Sequence, residues 1–99
     1  MGRGRIKENR SKLAGQRLSI AKEIFGKSYE KLVQDRRWEE IVKIYSAKTV
    51  RNWVQQGIPI YRIAAVAKYF AVTGNDFTDA QISREAFDKK IFLAVSKIE

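Results

Sequence analysis

The side chains best suited to recognition chemistry lie between Ser46 and Pro59. Ser46 is a typical helix N-cap, and Gly57 followed by Pro59 is a typical helix stop. At helical spacing, Val50 and Trp53 share an inward face. The outward face has no carboxylate and carries Ala47, Lys48, Arg51, Asn52, Gln55 and Gln56. Such a face suits the major groove of DNA, where Arg and Lys donate to guanine and Asn or Gln pair with adenine.

The charge of the whole chain also favours an anionic partner. Twenty Lys and Arg residues stand against eleven Asp and Glu residues, giving a net charge of +9. No acidic residue occurs from Ile41 to Asn75, so a helix in this window can approach a phosphate backbone without carboxylate repulsion. The alternative is a basic surface that is merely solvated.

Several kinds of catalytic and metal chemistry lack their usual residues. The chain has no Cys and no His, which excludes disulfides, the usual zinc sites, Cys nucleophiles and imidazole acid–base catalysis. The clustered acids Asp35, Glu39 and Glu40 are flanked by Arg36 and Arg37, and ion pairing on a solvated face explains them. We therefore expect no enzymatic activity, no cofactor and no metal.

Nothing in the sequence predicts a membrane association. No apolar run approaches the ~18 residues of a membrane span, and residues 1–12 lack the apolar stretch of a signal peptide. The basic residues are not gathered on one helix opposite a large apolar face, as in an amphipathic membrane binder. We expect a cytoplasmic protein without a membrane partner.

Helix caps and apolar spacing predict an all-α domain over residues 13–99. Apolar side chains recur at helical spacing from Leu13 to Phe25, behind Ser11 as N-cap and before Gly26 as a stop. Residues 29–45 form one helix or two, because a polar stretch interrupts their apolar positions.

The remaining elements complete a compact bundle of five or six helices. We expect a short helix at about 47–56, another after Pro59, and an amphipathic C-terminal helix at about 84–98 behind Ser83. Residues 1–12 are predicted to be a disordered basic arm, because one apolar side chain cannot offset the entropy of ordering them. The predicted core contains Val50, Trp53, Ile63, Val66 and Phe70.

Taken in order, these motifs resemble the phage-repressor and Cro-like, or lambda repressor-like, helix-turn-helix domains. The resemblance covers roughly Gly15 to Phe77. Its strongest stretch, Ser46 to Trp53, is similar to the Ser-x-x-Thr-Val-x-Asn-Trp recognition helix of that family. The resemblance implies sequence-specific binding of double-stranded DNA by a bacterial or phage transcriptional regulator, located in the cytoplasm at the nucleoid.

Two features depart from the family pattern. Between Ser28 and Ser46 the chain is about two helical turns longer than expected, or some 10 Å of helix. The glycine common in the turn before the recognition helix is missing, with Ile44 and Tyr45 in its place. A turn that needs positive φ must therefore be built differently.

The resemblance also implies roles for individual residues. As recognition-helix residues that contact base edges or line the groove it implies Ala47, Lys48, Thr49, Arg51 and Asn52. As contacts to DNA phosphates it implies Arg17, Arg36, Arg37, Gln55 and Arg62. In the arm, Arg3 and Arg5 either enter a minor groove, as homeodomain arms do, or belong to an unstructured leader.

A second interpretation keeps the helical fold but not the DNA. The chain would then be a protein-interaction module, or the N-terminal domain of a larger protein, that docks through its C-terminal amphipathic helix. On that helix Phe87, Ile91, Phe92 and Val95 either form a homodimer face or pack on the core of their own domain, with Phe92 off the main apolar stripe.

Overall fold

Seven helices and one pair of short strands make up residues 9–98, the part of the chain that this computed structural model describes. In chain order the elements are β1 (Arg10–Ser11), α1 (Lys12–Ile24), α2 (Tyr29–Gln34), α3 (Arg36–Ile41), α4 (Ala47–Gln56), β2 (Ile58–Pro59), α5 (Ile60–Tyr69), α6 (Gly74–Thr78) and α7 (Arg84–Ile98). The predicted all-α class is confirmed. Within residues 9–98, no helix combines the length and the apolar character that crossing a membrane requires.

The helix count exceeds the predicted five or six for two local reasons. Residues 29–45 contain two helices, because Asp35 takes an extended ψ of 128° and ends α2. Its carboxylate accepts a hydrogen bond from the Arg37 backbone N–H at 2.8 Å and so caps α3. Residues 74–78 form the short helix α6, which is not among the helices predicted from the sequence.

Lys43 makes the turn for which the sequence lacks a glycine. Its φ of +61° is left-handed, a conformation that costs a residue with a Cβ roughly 1–2 kcal/mol. Two hydrogen bonds hold the turn: the Lys43 backbone N–H donates to the Trp38 carbonyl at 3.1 Å, and the Trp38 indole donates to the Ile44 carbonyl at 2.8 Å. The chain then enters α4.

The core lies around α1, which packs against α4, α6 and α7. All five predicted core residues are at most 4% exposed. The core is rich in aromatic side chains, with edge-to-face contacts between Phe25 and Phe70 (ring centroids 4.8 Å apart), Trp38 and Tyr69 (5.2 Å), and Phe77 and Phe87 (5.4 Å).

The predicted disordered arm is wrong for residues 10–12. Residues 1–8 lie outside the described residues, but β1 pairs antiparallel with β2, and Lys12 begins α1. The Ile60 backbone N–H also donates to the Asn9 carbonyl at 2.9 Å. A two-residue ladder is too short to leave an alternating apolar pattern, so no sequence pattern could predict it.

The serine caps predicted at Ser11, Ser46 and Ser83 are confirmed, and Ser28 caps α2 in the same way. Each serine Oγ accepts a hydrogen bond from the backbone N–H three residues later: Ser11 at 3.0 Å, Ser28 at 3.2 Å, Ser46 at 3.4 Å and Ser83 at 3.1 Å. Gly26 and Gly57 have positive φ at the ends of α1 and α4. These local contacts set where the helices begin and end.

The C-terminal helix α7 packs on its own domain. Phe87, Ile91 and Ala94 are buried, and α7 lies against α1. Phe92, Leu93 and Ile98 remain 60%, 63% and 37% exposed, so three large apolar side chains of α7 face outward where the sequence suggested one.

Candidate nucleic-acid interface

One face of helix α4 is apolar and packs on the domain, and the opposite face is polar and exposed. Val50 and Trp53 are buried, and α4 packs against α1 and α2. At 4% exposure, Trp53 is a core residue and has no free ring face for stacking on a base. The helix has the same bounds as the one predicted from the sequence. Its exposed side chains are Lys48, Arg51, Asn52, Gln55 and Gln56, while Ala47 and Thr49 are half-buried.

Most hydrogen-bonding groups on the exposed face of α4 are unoccupied. Among residues 9–98, no side chain forms a hydrogen bond or ion pair with those of Lys48, Asn52 or Gln55. The face contains one ammonium group and two amides there, and amides both donate and accept. It can therefore bind a partner that offers a mixed pattern of donors and acceptors, as base edges in a major groove do.

Arg51 differs from its neighbours because α2 already holds it. Its Nη2 donates to the carboxylate of Glu30, and its guanidinium lies 5.2 Å from the centre of the Tyr29 ring. The Glu30 backbone N–H and then Arg51 hold the pKa of the Glu30 carboxyl below its ordinary value. The window from Ile41 to Asn75 is free of acids along the chain, but in space α2 places a carboxylate against α4.

Tyr29 is shared by two cations. The Nζ of Lys22, on α1, lies 4.6 Å from the centre of the same ring that Arg51 approaches. Lys22 is also paired with Glu23 at 2.7 Å. The tyrosine thus links α1, α2 and α4 at one edge of the exposed face. The contacts of Tyr29 and Glu30 with Arg51 could not be predicted from the sequence, because only the packing of α2 on α4 brings these residues together.

The structure contradicts the phosphate contact predicted for Arg17. The side chain is buried, at 5% exposure. Its guanidinium donates to the carbonyl oxygens of Asp76 and Asp79, both at 2.9 Å, and of Ile82 at 2.6 Å. The segment from α6 to α7 leaves carbonyl oxygens without helical partners, and Arg17 satisfies three of them. It ties α1 to this segment.

Arg37 and Arg62 are half-buried and already bonded to backbone carbonyls. Arg37 donates to the Tyr69 carbonyl at 2.9 Å, with its guanidinium 5.0 Å from the Tyr69 ring centre. Arg62 donates to the Val42 carbonyl at 3.2 Å, which places it beside the loop that leads into α4. Each guanidinium retains other N–H groups, so a phosphate contact by either stays a prediction.

Arg36 is exposed and only weakly paired. Its side chain is 89% exposed and lies 3.6 Å from Glu40, one helical turn away on α3. An exposed pair of this kind contributes little to stability. The structure leaves Arg36 accessible on α3, which packs against α2 and α5.

Two further exposed lysines lie on elements next to α4 along the chain or packed against it. Lys31 lies on α2 and Lys43 in the turn before α4, and both are exposed. Exposed tyrosines accompany them: Tyr45 (66%) directly precedes the cap of α4, and Tyr61 (69%) lies in the first turn of α5. The surroundings of α4 therefore combine cations with aromatic rings.

The predicted base-contact residues share one helix, but the predicted phosphate-contact residues are scattered over several. Five of the first six positions of α4 are taken by Ala47, Lys48, Thr49, Arg51 and Asn52. Arg3 and Arg5 lie outside the described residues. Within residues 9–98, no group of three or more His, Cys, Asp or Glu side chains could hold a metal ion.

Comparison of the chain with protein-family models, with curated proteins and with solved structures finds no significant match. A functional conclusion therefore depends on the residues of the chain and on their arrangement.

Proposed function

We propose that this chain binds double-stranded DNA in a sequence-specific manner, as the DNA-binding domain of a bacterial or phage transcriptional regulator. The observation that carries the proposal is α4, a ten-residue helix whose exposed side chains include no carboxylate. The major groove of B-DNA is about 12 Å wide and admits an α-helix of about 10–12 Å diameter. Helix α4 would lie in that groove, with its N-terminal half nearest the bases.

Base recognition would come from the start of α4. Asn52 can pair with adenine N6 and N7, and Arg51 with guanine O6 and N7, each good bidentate pair contributing about 1–3 kcal/mol of discrimination. Lys48 would donate to guanine or to a phosphate. Ala47 and Thr49 are small and half-buried, so they would allow close approach and contact groove walls or thymine methyl groups.

Backbone contacts would come from the elements around α4. The side chains proposed for phosphate contacts are Arg36, Arg37, Gln55, Arg62, Lys31 and Lys43. Arg17 is excluded because it is buried. The arm residues Arg3 and Arg5 remain proposed minor-groove contacts. Nearby along the chain, the Arg10 guanidinium donates to the Gly57 carbonyl at 3.1 Å. That bond keeps the base of the arm beside the C-terminal end of α4.

We assign α2 and α4 as the supporting helix and the recognition helix of a helix-turn-helix motif. Those two helices pack against each other, which is the contact that a recognition helix and its supporting helix require. Residues 35–46 separate them, so α3 would be an insertion that packs against α2 and α5 instead of a simple turn. Membership of the lambda repressor-like family is part of this proposal.

Titration of a fluorescent DNA duplex at several salt concentrations tests the function. With about three to five phosphates neutralised, log K should fall against log salt with a slope of about −3 to −4.5. Lys48→Ala should weaken binding severalfold, whereas Lys89→Ala, the same charge change on an exposed position of α7, should weaken it much less. Equal losses for both variants, or binding unchanged from low to physiological salt, would contradict a complex centred on α4.

A second candidate function rests on the exposed face of α7. Phe92 and Leu93 are adjacent in the chain and more than half exposed, which suits contact with a partner helix or with a second copy of the chain. Light scattering of wild type and Phe92→Lys tests self-association. A wild-type dimer that becomes monomeric in the variant, together with no binding to any duplex, would favour this protein-interaction function over DNA binding.

A further inference from the structure

We infer that Glu30 is a positioning residue that, together with Tyr29, holds Arg51 in one orientation and so sets a preference for guanine. This inference rests on the proposed function. Glu30 touches no base in this account. It acts through the guanidinium of Arg51.

The contacts on Arg51 restrain both its direction and its plane. The Glu30 carboxylate accepts a hydrogen bond from Nη2, which fixes where the end of the side chain points. The Tyr29 ring, 5.2 Å from the guanidinium carbon, gives that end a surface to lie against. An unrestrained arginine samples many rotamers, and ordering it on binding reduces affinity. Arg51 is ordered before a partner arrives.

The restrained guanidinium still has the donors that guanine requires. Arginine carries five N–H donors, and the bond to Glu30 uses one hydrogen of Nη2. Four hydrogens remain: the Nε hydrogen, the second Nη2 hydrogen and both Nη1 hydrogens. Two that lie side by side, such as the second Nη2 hydrogen and one Nη1 hydrogen, can meet O6 and N7 of guanine. Arg51 is 48% exposed, so these donors are accessible.

The charge of Glu30 also increases discrimination between a preferred site and random DNA. A carboxylate that is 55% exposed at the edge of a basic face repels nearby phosphates, so it weakens binding to every duplex alike. The guanine contact compensates for this repulsion only at the preferred site. Removing the carboxylate should therefore reduce discrimination without reducing affinity for random DNA.

The test compares wild type with Glu30→Gln on a selected site and on duplexes in which each base pair is substituted in turn. Wild type should prefer guanine at one position by tenfold or more, and Arg51→Ala should remove that preference. Glu30→Gln should reduce the preference at least threefold, with affinity for random duplex equal or higher. Glu85→Gln is the matched control, because it removes an exposed glutamate from the first turn of α7.

A double variant separates positioning from a general effect on the fold. In the Arg51→Ala background, Glu30→Gln should change base preference no further, because Glu30 affects that preference only through the Arg51 guanidinium. Unchanged guanine preference in Glu30→Gln, the same loss in Glu85→Gln, or a further loss in the double variant would each overturn the inference. If wild type binds no duplex, the proposed function fails as well. If wild type discriminates between bases and Glu30→Gln does so equally, only this inference fails.

Discussion

Gly15 of α1 lies directly against the carbonyl oxygen of Trp53 in α4, with no room between the two for a Cβ atom. The backbones of the two helices are therefore in close contact at this point. Because Trp53 is itself buried, the contact determines how α4 sits on the domain. The exposed face of α4 is held in place from behind by a residue that has no side chain.

Replacing Gly15 by alanine should destabilise the domain. Alanine suits a helix better than glycine by about 1 kcal/mol, but forcing a methyl group into a packed contact costs typically 1–3 kcal/mol. We expect a net loss of free energy of unfolding, measured by urea denaturation. Gly74→Ala is the control, because its added Cβ would meet Ile63 at an ordinary 3.9 Å. A Gly15→Ala protein as stable as wild type would show that the helices can separate without loss.

Replacing Arg17 by alanine should lower stability rather than act on a ligand. Three carbonyl oxygens would lose a charged donor, and a single hydrogen bond to a charged group contributes about 1.5–3 kcal/mol. We expect thermal melting to show a loss of at least 2 kcal/mol, on the order of one such bond. Arg36→Ala, at an 89% exposed position, should change stability by no more than about 0.5 kcal/mol. Similar melting curves for both variants would contradict the structural role of Arg17.

Asp76 should make stability depend on pH in the acid range. Burial opposes ionisation of its carboxyl, but hydrogen bonds from Thr73 and the charge of Lys90 outweigh burial and lower its pKa below the ordinary 3.8. The stabilisation is therefore complete above that ordinary pKa and is lost as pH falls through the lower folded value.

We expect the free energy of unfolding to fall below about pH 4, with Asp76→Asn less stable than wild type at neutral pH and flatter in acid. Urea denaturation at a series of pH values measures both. Glu85→Gln removes an exposed carboxylate and controls for net charge. An acid limb as steep in Asp76→Asn as in wild type would contradict the prediction.

Replacing Ala71 by glycine should stabilise the domain. Ala71 has a φ of +59°, where a Cβ is unfavourable by roughly 1–2 kcal/mol and glycine is not, although glycine loses more entropy on folding. We expect a net gain of about 0.5–1 kcal/mol in chemical denaturation. Ala64→Gly, at an exposed position within α5, should instead lose about 1 kcal/mol. A loss in both variants would mean that Ala71 is not strained.

The elements of this fold could be predicted because their signals are local. Ser46 and Gly57 set the beginning and the end of α4 through contacts within three or four residues, and apolar spacing identifies the face that is buried. Helix α7 could be predicted for the same reason, because its Ser83 cap and its apolar spacing are also local signals. Asp35 was harder to predict, because its extended backbone ends one helix while its carboxylate caps the next, and the sequence alone left one helix or two open.

The parts of the site that the sequence did not predict depend on contacts between distant residues. Arg51 and Glu30 are 21 positions apart, and Arg17 and Asp76 are 59 apart. A charged side chain looks the same in sequence whether it faces solvent or a buried carbonyl. Only the packing of α2 and α6 around α1 and α4 distinguishes Arg17, which is structural, from Lys48, which is exposed.

The most direct test of the account is an NMR titration of the whole chain with an unlabelled DNA duplex at moderate salt, following the backbone and side-chain amides. If α4 lies in the major groove, the largest shift changes will occur at exposed α4 residues, including the side-chain amides of Asn52 and Gln55. The α7 residues 84–98 will be little affected. Shifts confined to α7, or no shifts in α4 at a duplex concentration that saturates the titration, would contradict the placement of α4 in the groove.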